Sequence, residues 1–238
     1  MSNLSGFESL IYGFKQLMWG GPLLIILFGV GVYMTLQLQG LQFRKLGHAL
    51  SLLAAPFGRN KSTAAGEVGG DIPSFQSLMT ALAGSIGTGN ITGIAAAVVT
   101  GGLGSLFWMW VMAFVGMATA YSETLLGVKY REKNAKGYMS GGPMYTLLHG
   151  LKSKRIATLY ALLGGFATIG IGCMVQSNSM VDAVASITDT NRFVMGSGLA
   201  LLVGLVIIGG VRSIGRVAGI LVPFMAIAYL TAGIIVLT

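Results

Sequence analysis

The sequence predicts an all-α polytopic membrane protein, and three observations carry that prediction. Of the 238 residues 54% are hydrophobic and only 9% charged, with a mean hydropathy of +0.77, whereas a soluble domain carries about 25% charged residues. Apolar runs recur at lengths near the ~20 residues that a helix needs to cross about 30 Å of hydrocarbon. Basic residues collect in alternate connections between those runs, as cytoplasmic loops do.

Six runs qualify: Trp19 to Leu38, Ser74 to Thr100, Ser105 to Val128, Ile156 to Met180, Phe193 to Gly209, and Val217 to Leu237. Ahead of them, Phe7 to Met18 has apolar residues at helical spacing and is expected to lie along the interface. No cluster of positive charge precedes the first run and no small-residue cleavage pattern follows it, so the run is retained rather than removed. Arg44, Lys45, Arg59 and Lys61 fall between runs one and two, and Lys129, Arg131, Lys133, Lys136, Lys152, Lys154 and Arg155 between three and four. Arg212 and Arg216 fall between five and six. The connections on the other side are uncharged GGLGS and a segment holding Asp182, Asp189 and Arg192. By the positive-inside rule both termini lie outside, which agrees with an even number of spans. Trp108 and Trp110, at the outer start of the third run, suit an interfacial anchor.

Composition also excludes function classes. The single cysteine, Cys173, removes internal disulfides and cysteine-pair metal sites. The formal charge of +8 and pI near 9.8 come from basic residues placed between apolar runs, where they act as topology signals rather than as a nucleic-acid surface. Both histidines, His48 and His149, fall in cytoplasmic loops, and no nucleophile, base and orienting group converge, so no enzyme chemistry is indicated. No cofactor is implied.

The second run contains GSIGTGNITG at residues 84 to 93. Gly84, Gly87, Gly89 and Gly93 together forgo about 4 kcal/mol of helix stability relative to alanine. Backbone left unpaired in hydrocarbon costs several kcal/mol per group, so a break there persists only where it is buried in protein or lines a cavity. Two readings stay open. In one, Gly89-x-x-x-Gly93 lets helices pack closely. In the other, freed carbonyls with the side chains of Ser85, Thr88, Asn90 and Thr92 offer hard oxygen ligands to an alkali cation. The half-helix starting near Asn90 would then offer N–H groups to a carboxylate.

Other polar residues inside the runs are candidates with plainer alternatives. Glu123 in the third run is a candidate for gating or coupling, or pairs with Lys129 near the cytoplasmic interface. Gln176, in the fourth run, either faces a pocket together with Cys173 at i and i+3 or bonds a neighbouring helix. The loop GYMSGGPMYTLLHGL, residues 137 to 151, has a Gly-Gly-Pro turn and an apolar run too short to span. A short helix on the inner surface, placed as a gate, is expected there.

The stretch GTGNITGIAAAVVTGGLGSLFWMWVMAFVGMATAYSETLLGVKYRE, then GGPMY, and GCMVQSN in the fourth run, resemble in order the motifs of the alanine or glycine:cation symporter family. The resemblance covers Ser74 to the end of the chain. It implies sodium-coupled symport of a small neutral amino acid, alanine or glycine, by alternating access on a leucine-transporter-type fold of two inverted five-helix repeats preceded by one extra helix. Residues 1–72 would then hold the interfacial segment, the extra transmembrane helix and a cytoplasmic loop, and residues 73–238 the first repeat with its broken first helix. Gly87, Thr88, Gly89, Asn90 and Gln176 inherit substrate contacts, and Ser85, Thr88, Asn90 and Thr92 are the candidate sodium ligands. Cys173 stands where the family resemblance leads one to expect asparagine. The implied partners are the amino acid, sodium, the lipid bilayer of the cell inner membrane and a second half of the transporter, this chain being the N-terminal half. The alternative is a non-transporting membrane subunit packing through glycine-rich helix faces.

Overall fold

The structure, a computed structural model, describes residues 6–54, 71–135, 137–188 and 190–238. Arg59, Lys61, Lys136 and Asp189, which enter the charge pattern above, lie outside the described residues.

Helix α1 (Gly6–Trp19) runs into α2 (Gly21–Gln37) across Gly20, whose extended backbone marks the junction. Pro22 in the first turn of α2 has no N–H to continue the ladder from α1. Together they form a 32-residue apolar run. The segment expected to lie along the interface is therefore continuous with the first span, because its apolar residues and those of α2 join without an intervening polar loop. Two short helices, α3 (Leu41–Arg44) and α4 (Leu46–Ala54), follow.

The second predicted run is two helices, α5 (Ser74–Ser85) and α6 (Thr92–Gly101), bent by 69° at a break. Gly102, at φ +69, turns the chain into α7 (Gly104–Lys129), a conformation open to glycine at no steric cost. A two-stranded antiparallel hairpin comes next, β1 (Glu132–Lys133) with β2 (Met139–Ser140), pairing Glu132 with Ser140 and Lys133 with Met139. The turn α8 (Pro143–Tyr145) and a π-helical turn, Thr146–Gly150, form the short helical segment where one was predicted. The fourth span is α9 (Lys154–Ala167), a π-helical stretch Thr168–Val175 and α10 (Gln176–Ala185). Helices α11 (Arg192–Ile208) and α12 (Gly210–Leu237) end the described fold.

Among the described residues, four helical runs are long and apolar enough to cross a membrane, or five when the bent pair counts as one. The protein is thus an all-α, multi-pass membrane protein. Six spans were predicted, and the difference is α11, an apolar helix of 17 residues and so about 26 Å long. Its ends are fixed by local chemistry. Asn191 Oδ1 accepts the Phe193 N–H at 2.8 Å at the start, and Gly210, at φ +67, stops it at the other end.

Few side chains are buried, as expected where most of the outer surface meets lipid. The best-packed seam joins α5 to α12: Met79, Ala218 and Val222 are buried with Phe75 beside them. Gly215 and Gly219, four residues apart, lie against Gln76, and a Cβ at Gly215 would stand 3.3 Å from both Gln76 Oε1 and Ile72 Cδ1. This is a small-xxx-small helix contact. A second seam joins α2 to α7, where Gly31 is buried on Val115 and Ala118 is buried nearby. Phe43 of α3 stacks on Phe114 of α7 at 5.7 Å.

Three connections predicted to share one side of the membrane meet in space. Met139 N–H donates to Asp71 Oδ2 at 3.0 Å, tying the hairpin to the entry of α5. Tyr138 and the Gly209 to Arg212 stretch line one small cavity. Gly141 lies so close to Gly127 that a Cβ would be 2.7 Å from the Gly127 carbonyl, so the Gly-Gly-Pro turn is seated on the end of α7.

Candidate functional site

Helix α5 spends its last hydrogen bond on Ile86, whose N–H reaches Leu82 O at 2.8 Å. Ile86 and Gly87 are then extended, Thr88 to Asn90 make one 3₁₀ turn, and α6 starts at Thr92. The turn is closed by Asn90 N–H to Gly87 O at 3.0 Å and Ile91 N–H to Thr88 O at 3.2 Å, and the first bond into α6 is Ala95 N–H to Ile91 O at 3.2 Å.

Every other main-chain group of the break can be accounted for from those bonds. Among the described residues, the carbonyls of Ala83, Gly84, Ser85, Ile86, Gly89 and Asn90 accept no main-chain hydrogen bond. The N–H groups of Gly87, Gly89, Thr92, Gly93 and Ile94 find no main-chain acceptor. The carboxyl end of one half-helix and the amino end of the other therefore face the same gap. Their partial charges are negative at the α5 end and positive at the α6 end. Carbonyl dipoles suit a cation, and the N–H groups suit a carboxylate.

Side chains brace the break rather than fill it. Ser85 Oγ donates to Ala81 O at 2.9 Å and Thr92 Oγ1 to Thr88 O at 2.8 Å. Asn90 Nδ2 donates to Ser85 O at 3.2 Å. Each hydroxyl proton is committed to a carbonyl, so the oxygen lone pairs and Asn90 Oδ1 stay available as acceptors.

Gln176 supplies the cross-link from the fourth span. Its Oε1 accepts the Thr88 N–H at 3.2 Å, and its Nε2 would be 2.6 Å from a Cβ at Gly87. Gly87 is required here by close approach, since its own φ of −140 is open to any residue. The π-helical stretch Thr168–Val175 leads directly into Gln176. Wide turns of this kind are frequent at functional sites; Cys173, inside this one, is exposed, while Gln176, just after it, is half-buried.

The glycines divide by role. Among the described residues, nothing beyond the local backbone lies within 4 Å of a Cβ placed at Gly84, Gly89 or Gly93. Of the two readings left open, close helix packing through Gly89-x-x-x-Gly93 finds no partner among the described residues, whereas Gly215 and Gly219 do pack in that way. Sequence reasoning missed that seam, although GRVAG carries the spacing in plain view.

Glu123 stands on α7, exposed, and makes no ion pair among the described residues. The alternative pairing with Lys129 is not formed; Lys129 Nζ instead sits 5.4 Å from the Tyr130 ring centre. Towards the other end of the bundle, Asn178 Nδ2 donates to Asp182 Oδ2 at 3.0 Å and Arg192 pairs with Asp182 at 3.3 Å, tying α10 to α11.

An apolar helical bundle with one span unwound at its centre, its opposed half-helix ends left unsatisfied, has the architecture of a secondary transporter. Comparison with known proteins carries this further. The profile described as "Sodium:alanine symporter family" matches residues 4–238, and the chain belongs to that family, which is one of secondary transporters and not of enzymes. It is 46% identical to the sodium/alanine symporter AgcS of Methanococcus maripaludis over 97% of this chain and 51% of the relative. It is 32% identical to the amino-acid carrier protein AlsT of Bacillus subtilis (strain 168) over 98% of this chain and 48% of the relative. The chain spans about half the length of the curated relatives it matches. No solved structure matches it.

Proposed function

We propose that this chain forms part of a sodium-coupled symporter that carries a small neutral amino acid, alanine or glycine, by alternating access, with substrate and ion held at the break between α5 and α6. The observation that carries the reading is the unsatisfied backbone between Ala83 and Ile94, which offers carbonyls and N–H groups to the two charges of a zwitterion and its coupling ion. The amino acid carboxylate takes the N–H groups of Gly89, Thr92 and Gly93, and sodium takes freed carbonyls together with oxygens of Ser85, Thr88, Asn90 and Thr92. Gln176 closes the site from the fourth span and Gly87 leaves room for it. Glu123 acts at the gate through exposure near one end of α7 rather than at the site.

The same reading makes residues 73–238 the first five-helix repeat, preceded by the unit 1–72, in the N-terminal half of a longer transporter whose second half completes the pocket. It places the protein in the cell inner membrane with its N-terminus outside. Reconstitution of the whole gene product in liposomes tests it. Radiolabelled alanine uptake should saturate and should stop when sodium is replaced by choline. Asn90→Leu should abolish it, and undiminished uptake by that variant removes the site.

A further inference from the structure

At the start of α9, Lys154 and Arg155 stand with Thr158, Leu159 and Leu162 around an open groove of about 590 Å³. The residues follow helical spacing, i, i+4 and i+8 from Lys154 and i, i+4 and i+7 from Arg155, so they form one face about two turns long. Its upper end is cationic with one hydroxyl, and its lower end is aliphatic.

Two features of this face call for an anion. Neither cation has an ion pair among the described residues, and α9 has no acidic residue in its first turn. Both also sit at the amino end of a helix, where the macrodipole disfavours positive charge. Lys152 lies two residues earlier in the chain. The aliphatic lower end runs along the start of a 32-residue apolar run that is long enough to cross a membrane. The cations therefore stand at headgroup depth and the leucines at acyl-chain depth.

We propose that this groove binds an anionic diacyl phospholipid, its phosphate on Lys154 and Arg155, a headgroup oxygen on Thr158 and an acyl chain along Leu159 and Leu162. A free phosphate ion satisfies the cations and leaves the leucines uncovered, which is why a lipid is the better occupant. The site does not rest on the transport reading; it needs only that this face of α9 meet lipid in the membrane.

The test uses native mass spectrometry of the detergent-purified whole gene product, titrated with phosphatidylglycerol and phosphatidylcholine in competition. The wild-type chain is expected to retain one phosphatidylglycerol with clear preference. The K154Q/R155Q double variant should lose about 30-fold of that preference, at about 1 kcal/mol for each cation near an anionic surface. L159A/L162A should weaken both lipids while keeping the preference. K129Q/K133Q, which removes the same charge elsewhere in the connection, should change nothing, and far-ultraviolet circular dichroism checks that each variant is folded. Equal preference in wild type and K154Q/R155Q overturns the proposal. So does full competition by soluble glycerol phosphate, which would make the site one for a free phosphate, or a lipid-independent dimer occupying this face.

Discussion

Gly87→Ala isolates the contact that joins the broken span to the fourth span. The backbone at Gly87 is extended, φ −140 and ψ −170, so alanine brings no torsional strain and its whole cost falls on its neighbour. The new methyl would stand 2.6 Å from Gln176 Nε2 and 3.3 Å from Gln176 Cδ, distances that only movement of the carboxamide can relieve. Moving it takes Oε1 away from the Thr88 N–H, a bond of 3.2 Å. An N–H deprived of its acceptor costs about 1–3 kcal/mol when buried. Thr88 is half-buried, so water recovers part of this and about 1 kcal/mol is expected. Gln176→Ala removes the same bond directly. The two changes should therefore be non-additive, with the double variant no less stable than the worse single one and a coupling near 1 kcal/mol. Reversible unfolding in mixed detergent micelles measures all three. If Gly87→Ala is neutral, or if the two losses add to within about 0.5 kcal/mol, the coupling of these spans through Gln176 is refuted.

Three further outcomes follow from the geometry. Gly215→Leu should destabilise the protein by about 1–3 kcal/mol through overpacking against Gln76 and Ile72, whereas Gly89→Ala, with open space around it, should leave packing unchanged; thermal melts of the two variants compare them. Gly142→Ala should cost about 1–3 kcal/mol, because φ +122 with ψ −175 lies in a region open essentially to glycine; limited proteolysis of the 137–151 connection should quicken accordingly. Asp71→Ala removes the acceptor of the Met139 N–H and should raise hydrogen exchange in the hairpin, while Asp71→Asn, which keeps an oxygen, should restore most of the protection.

How far the sequence could be read depended on the range of the physics involved. The interruption at residues 84 to 93 was legible because four glycines oppose helix formation locally, and the break falls where they cluster. The alternation of charge likewise showed which connections share a side, and the Asp71 to Met139 bond and the Tyr138 cavity bring three of them together. Gln176 could be named as a candidate, but its partner could not, since Thr88 is 88 positions away. The π-helical stretch that leads into Gln176 was not foreseen, because such a stretch leaves no plain mark in composition. The Lys129 pairing of Glu123 failed because an exposed cation beside an aromatic ring has other places to rest.

By itself the sequence determined that the protein is a helical membrane bundle, where one helix comes apart, and which residues surround the gap, because apolar length, charge bias and glycine cost are properties of short segments. Only the tertiary structure decided which glycines admit a neighbour. Among the described residues Gly87 and Gly215 have one and Gly89 has none, and spacing alone treats them alike. Close approach between helices is a property of two distant surfaces, so it becomes visible only once both are in place.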